Sequence, residues 1–78
     1  MITKELFGRE VLDAEAKQIG KVTDLDFDKN KGVIDYLVVK AGSIKYYEVS
    51  FQDVSAIGDR ILLKVAENQL KRKNVISL

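Results

Sequence analysis

The pattern of apolar and polar residues predicts a β-rich chain organised around one hairpin at residues 32–51. β-Branched and aromatic residues fill two runs, 33–39 and 44–49, with small turn residues between them, which is typical of a hairpin. The first run has Asp35 as its one charged residue, so we expect both faces of that strand to be covered. Glycine accepts the positive φ of a type II′ turn, so Gly42-Ser43 is predicted to form a two-residue loop.

The strand predicted at residues 19–28 departs from strict alternation. Its large apolar residues are Ile19, Val22, Leu25 and Phe27. Val22 has the opposite phase to the other three, and a regular strand would place it on the side of the aspartates. A β-bulge near Thr23 would bring all four to one face, so the sequence predicts a bulge there.

Shorter runs elsewhere complete the prediction of an all-β domain. Residues 9–13 and 60–65 are predicted to be strands, and Gly58-Asp59 is a second hairpin turn. Thr3 is placed to cap one helical turn that Gly8 ends. About six short strands, with turn signals every 8 to 12 residues or so and no proline, predict a small antiparallel β-barrel, closed or half closed.

The chain is predicted to divide into a barrel at residues 1–65 and a C-terminal extension at residues 66–78. Within the extension, residues 67–73 favour one or two helical turns, and residues 74–78 favour an extra strand. An apolar strand at the end of so small a domain needs a surface to cover it, in the same subunit or in a second one. We therefore expect a homodimer.

Composition and charge limit the classes of function. The 78 residues make one domain, and without cysteine no disulfide can stabilise it. A net charge of +1 provides no bulk attraction to nucleic acid or acidic lipid. Aspartates concentrate in the middle of the chain and basic residues near its end, so we expect opposite charges at opposite poles. Residues 1–10 lack a signal-peptide pattern, and no run approaches the roughly 18 apolar residues of a membrane span, so the expected location is cytoplasmic.

Five short motifs follow one another along residues 5–65. They are Gly8-Arg9-Glu10-Val11, Gln18-Ile19-Gly20-Lys21-Val22, Leu37-Val38-Val39, Tyr47-Glu48-Val49-Ser50 and Ala56-Ile57-Gly58-Asp59-Arg60-Ile61. In this order and spacing they resemble the PRC-barrel domain family, which includes the H subunit of photosynthetic reaction centres and the ribosome maturation factor RimM. Ala16 departs from the glycine often found there, and Tyr47-Glu48 stands where the family often has a proline.

The resemblance implies a small β-barrel that acts as a protein-binding adaptor or assembly module. The chain is similar to the stand-alone barrels of archaea, some of which take part in cell division by contacting the protein that tethers the division ring to the membrane. A division-ring membrane tether is therefore the partner that the resemblance implies. The alternative, by analogy with RimM, is a ribosome-associated assembly factor that binds a ribosomal protein or rRNA. A third reading is a structural domain that associates only with itself.

Three aspartates in the middle of the chain are candidate site residues. Asp24, Asp26 and Asp28 alternate with apolar residues, so they are predicted to share the outer face of one strand. Together with Asp35 they match positions 1, 3, 5 and 12 of a calcium-binding loop. Lys29, however, stands where that loop requires glycine, so we predict a solvated acidic face and no metal site. A basic partner would relieve the repulsion between these carboxylates.

The tyrosines and the apolar tail are candidates for a protein interface. They are Tyr36, Tyr46, Tyr47, Val75, Ile76 and Leu78. Tyrosine is enriched at interfaces, and the adjacent Tyr46 and Tyr47 must point to opposite faces of their strand, so one of them is expected outside the barrel. Lys71, Arg72 and Lys73 are candidates for contact with phosphate, although no aromatic platform for nucleic acid accompanies them.

Catalysis is not expected from this composition. The chain has no histidine and no cysteine, so it lacks an imidazole base and a thiolate nucleophile. Its five glycines are scattered turn residues and do not form a phosphate-binding loop. We therefore expect a non-enzymatic protein that uses no cofactor.

Overall fold

Seven strands and three short 3₁₀ helices make up the computed structural model, which describes residues 3–73. The strands are β1 (Glu10–Leu12), β2 (Gln18–Asp28), β3 (Val33–Ala41), β4 (Lys45–Ser50), β5 (Val54–Ile57), β6 (Arg60–Leu63) and β7 (Lys71–Arg72). The 3₁₀ helices are Thr3–Leu6, Phe51–Asp53 and Glu67–Gln69. The prediction of an all-β domain is confirmed, with one strand more than the six expected.

The strands form one sheet in the order β5-β6-β1-β2-β3-β4-β7. The pairs are antiparallel except for β1 and β6, which run parallel, so the prediction of a wholly antiparallel arrangement is wrong. Parallel pairing is possible because no hairpin joins β1 to β6; the chain passes through four other strands between them. Within residues 3–73 the sheet is not closed, and β5 and β7 are its two edges.

The core lies on one face of this sheet. Its buried side chains are Leu6, Val11, Ile19, Val22, Leu25, Leu37, Val39, Tyr47, Val49, Ile61 and Leu63. Leu6 comes from the first 3₁₀ helix, which the sequence predicts as a helical turn, and it is only 1% exposed. Burying a leucine side chain contributes about 1.5–3 kcal/mol, so this turn belongs to the core.

Strand β2 contains the bulge that the sequence predicts. Val22 pairs with Val39 and Asp24 with Val38, which leaves Thr23 as an extra residue. The expectation that this one bulge brings all four apolar residues to one face is wrong, because it aligns Val22 with Leu25 but not with Ile19. A second irregularity, where β2 pairs with β1, leaves Ile19 as an extra residue. Ile19, Val22 and Leu25 are all buried as a result. Phe27 is not: it is 54% exposed, because it lies at the end of the β2–β3 ladder, where the core ends.

The β3–β4 hairpin differs from its prediction in two details. Ala41 pairs with Lys45, so the loop has three residues and includes Ile44, which is 86% exposed. Strand β3 is buried only at its centre, over residues 37–39. The expectation that both faces of the whole strand are covered is wrong, because β4 pairs with β3 only from Tyr36 onward.

The C-terminal part of the described chain packs on the sheet. The helical turn predicted within residues 67–73 is confirmed as the 3₁₀ helix Glu67–Gln69, and β7 follows it. Strand β7 pairs with β4 and places Arg72 opposite Tyr47. The strand predicted for residues 74–78 lies outside the described residues.

Candidate protein-binding surface

Several large apolar side chains are exposed at the end of the β2–β3 hairpin. Phe27 is 54%, Val33 49% and Tyr36 38% exposed. Ile34, opposite Phe27 in the ladder, and Phe51, which follows β4, are half-buried and pack against the core. We call these five residues the hairpin-end surface. They occupy both faces at this end of the sheet: Val33 and Tyr36 lie on the face opposite the core, and the other three lie on the core face. Exposed apolar side chains grouped at one end of a sheet are typical of interaction sites.

This surface exists because β4 stops before β3 does. The last pair of the β3–β4 ladder is Tyr36 with Ser50, after which the chain turns into the 3₁₀ helix Phe51–Asp53. The Ser50 hydroxyl accepts a hydrogen bond from the Gln52 N–H at 3.3 Å and caps that helix. Residues 33–35 therefore have no ladder partner on the β4 side within the described chain, and a groove opens between β3 and the helix.

Asp35 occupies an irregular position at this edge. Asp26 pairs with Tyr36 and Phe27 pairs with Ile34, which leaves Asp35 as a bulged residue without a cross-strand partner. Its side chain is exposed, and no ion pair found within residues 3–73 involves it. A bulge of this kind redirects side chains at a sheet edge, so Asp35 presents a carboxylate beside the groove.

The three candidate aspartates of β2 are less available than the sequence predicts. Asp28 accepts hydrogen bonds from the backbone N–H groups of Asn30 at 2.9 Å and Lys31 at 3.2 Å, so it holds the β2–β3 turn. Asp26 forms an ion pair with Lys73 at 3.3 Å. Asp24 is exposed, and its carboxylate accepts from the Leu25 N–H at 2.8 Å. Within the described chain no group of three or more acidic side chains is arranged to hold a metal ion.

The basic C-terminal cluster lies beside acidic residues, not at an opposite pole. Lys73 bridges to Asp26 and also lies 3.7 Å from Glu48 of β4. Lys71 and Arg72 are exposed on β7. The prediction of opposite charge poles is wrong here, because the pairing of β7 with β4 brings the end of the chain back to the middle of the sheet.

The structure separates the three tyrosines. Tyr36 is exposed, and Tyr46 is half-buried with the Lys40 Nζ 5.9 Å from its ring centre. Tyr47 is 6% exposed, and its hydroxyl donates to Glu67 at 3.2 Å. The expectation that Tyr46 and Tyr47 point to opposite faces is confirmed, and Tyr47 is a core residue that is not available to a partner. The tail candidates Val75, Ile76 and Leu78 lie outside the described residues.

A second cluster of polar residues, around Asp13, is structural. Asp13 is 5% exposed and accepts hydrogen bonds from the backbone N–H groups of Glu15, Lys17 and Glu67 at 2.8–2.9 Å. The Lys17 Nζ lies 2.5 Å from the Glu67 carboxylate, which also accepts the Tyr47 hydroxyl. Every buried side-chain nitrogen and oxygen of the described chain has a hydrogen-bond partner, and the contacts of this cluster hold separate segments together.

The pKa shifts of this cluster follow from these contacts. Burial alone would raise the pKa of Asp13, but the backbone donors of Lys17, Glu67 and Glu15 outweigh it, so the pKa lies below its ordinary value. The hydrogen bond between Lys17 and Glu67 lowers the pKa of the carboxyl and raises that of the ammonium group. All three groups are therefore held in their charged forms near neutral pH.

Two residues of the hairpin-end surface carry no signal in the sequence that separates them from core residues. Val33 and Phe51 stand in apolar runs, and such runs are expected to be buried. What exposes Val33 and leaves Phe51 at the groove is the unequal length of β3 and β4, which depends on strand pairing and not on local sequence. Tyr36 is the one member of the surface that its residue type marks as an interface candidate.

No helix in residues 3–73 has the length and apolarity needed to cross a membrane.

Comparison with known proteins identifies the family. A search of curated proteins found no matching relative. The profile of the PRC-barrel domain, in contrast, matches residues 3–70 and so runs past the boundary predicted at residue 65. The match spans most of the sequence and most of the strands, and the chain belongs to the PRC-barrel domain family.

Proposed function

We propose that this protein is a non-enzymatic adaptor that binds a protein partner through the hairpin-end surface. The observation that carries the proposal is the exposure of Phe27, Val33 and Tyr36 at one end of the sheet. Removing these side chains from water on binding supplies the driving force, and aromatic residues are the usual anchors of such interfaces.

Charge near the surface favours a basic partner. Asp35 and Asp24 are exposed and make no ion pair within the described chain. Exposed carboxylates around an apolar patch add little affinity, but they raise the association rate of a positively charged partner and disfavour an acidic one. The acidic residues thus act as a selectivity element beside the apolar anchor.

The partner we propose to test first is a division-ring membrane tether, which the resemblance to stand-alone archaeal barrels implies. A ribosome-associated role is the alternative and would use Lys71, Arg72 and Lys73 to contact rRNA. It has less support, because Lys73 is engaged with Asp26 and Glu48. Homodimer formation through residues 74–78 stays a prediction, and concentration-dependent sedimentation tests it.

The experiment is affinity purification of the tagged protein from its own cells, with gentle cross-linking and with nuclease added to half of the sample. The wild type is compared with Phe27→Ala and Tyr36→Ala, and with Ile44→Ala as a control whose exposed side chain lies in the loop at the other end of β3. Both surface variants should reduce recovery of the partner about tenfold, whereas the control should not.

Two further measurements are the stability of the variants and the effect of nuclease on the recovered partners. Because Phe27 and Tyr36 are exposed, each variant should unfold within about 0.5 kcal/mol of the wild type. Partners recovered equally well by both surface variants would refute the proposed surface. Ribosomal proteins that disappear with nuclease would favour the ribosomal alternative over the division tether.

A further inference from the structure

We infer that the partner contributes an extended segment that pairs with residues 33–35 of β3 as an added strand. This inference rests on the proposed function and specifies how the hairpin-end surface is used. It begins from the β3 edge, where Val33 and Ile34 pair with β2 on one side only and the bulged Asp35 has no strand partner on either side. A strand edge with unpaired backbone groups is a template for another strand.

The groove beside this edge has the shape and lining that an added strand needs. Its lining residues are Lys31, Val33, Ile34, Asp35, Tyr36, Ser50, Phe51 and Gln52. The 3₁₀ helix Phe51–Asp53 forms the opposite wall, because the chain leaves the path of β4 after Ser50. An extended segment placed in the groove would continue the line of β4, with the edge of β3 on one side and the helix on the other.

Apolar side chains are available on both faces of the free edge. Tyr36 pairs with Asp26 and Ser50, and Val33 pairs with Asp28, so both lie on the face opposite the core. Ile34 and Phe51 pack against the core and lie on the other face. Side chains of an added strand alternate between the two faces, so a segment with apolar residues on both would find contacts on each.

The charged residues of the groove place a further requirement on the added segment. Asp35 and Lys31 are the charged residues of the groove lining, and Asp35 is bulged and free of ion pairs in the described chain. The segment that fits is therefore short and extended, with some apolar side chains to contact Tyr36 and Phe51 and a basic residue next to Asp35. The addition of a β-strand to a sheet edge takes its affinity from backbone hydrogen bonds and its specificity from side-chain pockets.

The two outer edges of the sheet fit this role less well. Strand β7 consists of Lys71 and Arg72, and exposed basic residues on an edge are a common protection against pairing. Strand β5 contributes Ile57 alone to the groove beside it, so an added strand would find few side-chain contacts there. Of the three edges, the one at residues 33–35 joins unpaired backbone to a groove in which Tyr36 and Phe51 are available for contact.

A selection of random 12-residue peptides displayed on phage tests the inference. Peptides recovered on the wild-type protein are synthesised, and their affinity is measured by fluorescence anisotropy for the wild type, Tyr36→Ala, Val33→Asp and the control Ile44→Ala. Each peptide is also made in two N-methylated forms, one with the odd and one with the even backbone amides methylated, because only alternate amides of an added strand point toward β3. We expect about tenfold weaker binding for both groove variants and for at least one of the two N-methylated forms, and unchanged binding for the control.

Hydrogen exchange locates the bound peptide. Binding should slow the exchange of at least one amide within residues 33–35, because strand pairing protects backbone N–H groups. The inference is overturned if no peptides are recovered, if both N-methylated forms bind as well as the originals, or if protection appears elsewhere. It is also overturned if Tyr36→Ala abolishes a concentration-dependent self-association of the wild type, since a second copy would then occupy the edge.

Failure of this inference leaves the proposed function open to its own test. If no extended peptide binds but Phe27→Ala and Tyr36→Ala still lose the partner from cells, then the hairpin-end surface binds a folded partner. If those variants keep the partner, the proposed function itself is refuted.

Discussion

The Asp13 carboxylate accepts a hydrogen bond from the backbone N–H of Glu67 at 2.9 Å, across 54 positions of the sequence. It thereby joins the turn after β1 to the 3₁₀ helix that precedes β7. Lys17 and Tyr47 both contact the Glu67 side chain, so the turn and the core meet at the same residue. These contacts hold the 3₁₀ helix Glu67–Gln69 against the turn after β1, and the chain then enters β7 beside β4.

Two substitutions of Asp13 should lower the melting temperature by different amounts. Asp13→Asn keeps one side-chain oxygen for the turn but presents an amide donor toward the Glu67 N–H, so it should be less stable than the wild type. Asp13→Ala leaves all three N–H donors without this acceptor and should be less stable still. Thermal unfolding followed by circular dichroism measures the order. Asp59→Asn, an exposed position, is the control, and an Asp13→Asn protein as stable as the wild type would contradict the role assigned to this contact.

The free energy of unfolding should depend on pH through the same cluster. The pKa values of Asp13 and Glu67 are lowered by folding, so their contribution is present above their ordinary values of 3.8 and 4.5 and is lost as the pH falls through the folded values. The raised pKa of Lys17 contributes below its ordinary value of 10.5 and is lost as the pH rises through the folded value. Urea unfolding at a series of pH values should show a plateau between these limits. This assignment is wrong if the free energy of unfolding of the wild type falls no more steeply at acid pH than that of Asp13→Asn.

Replacing Ala16 with glycine should stabilise the protein. Ala16 is the one non-glycine residue with a positive φ in the described chain, at 63°. The left-handed conformation costs a residue with a Cβ about 1 kcal/mol, part of which glycine gives back through the greater entropy of its unfolded chain. Ala16→Gly is therefore expected to stabilise the protein by about 0.5 kcal/mol in urea unfolding. Ala14→Gly, in the same turn but with an ordinary φ, should not stabilise.

Gly20 should not tolerate a side chain. A Cβ at this position would lie 2.8 Å from the carbonyl carbon of Lys40 and closer still to its oxygen, because the backbone of β3 passes close to Gly20. Gly20→Ala should therefore destabilise the protein by about 1–3 kcal/mol, as overpacking does. Gly58→Ala is a matched control, since the nearest atom to its Cβ would be 4.0 Å away, and it should change stability by less than about 0.5 kcal/mol. Equal stability of the two variants in urea would refute this explanation.

The bulge at Thr23 should be required, although the threonine side chain is not. Deleting Thr23 would turn either Val22 or Leu25 away from the core, and losing one such side chain costs about 2–5 kcal/mol. Thr23→Ala keeps the extra residue and removes only a weak 3.4 Å hydrogen bond to Val38, so it should remain folded with nearly wild-type stability. Urea unfolding compares the two. A deletion variant with wild-type stability would show that the strand can be realigned at no cost.

Much of the fold could be predicted because the evidence for it is local. The phase of Val22 relative to Ile19 and Leu25 predicts the bulge, since the alternation of a strand has a period of two. The turn glycines and the β-branched runs place β3 and β4. The sequence also identifies Tyr36 as a candidate, because its residue type alone is enriched at interfaces.

The rest depended on pairings between distant residues. The parallel contact of β1 with β6, the ion pair of Lys73 with Asp26 and the burial of Tyr47 beneath Glu67 all join residues far apart in the sequence. Alternation shows that Tyr46 and Tyr47 face opposite ways, but it does not show which face is covered. The availability of the aspartates was overestimated because Asp28 and Asp26 bond to groups that only the folded chain brings near.

The amino-acid sequence by itself determined most of the strands, the bulge at Thr23 and the family, because these follow from residue type, phase and the order of short motifs. Only the tertiary structure decided that β4 ends before β3 does, and so leaves residues 33–35 unpaired beside Tyr36 and Phe51. The physical reason is that a strand edge is free or covered according to the path of its neighbour, and that path is set by the packing of the whole sheet.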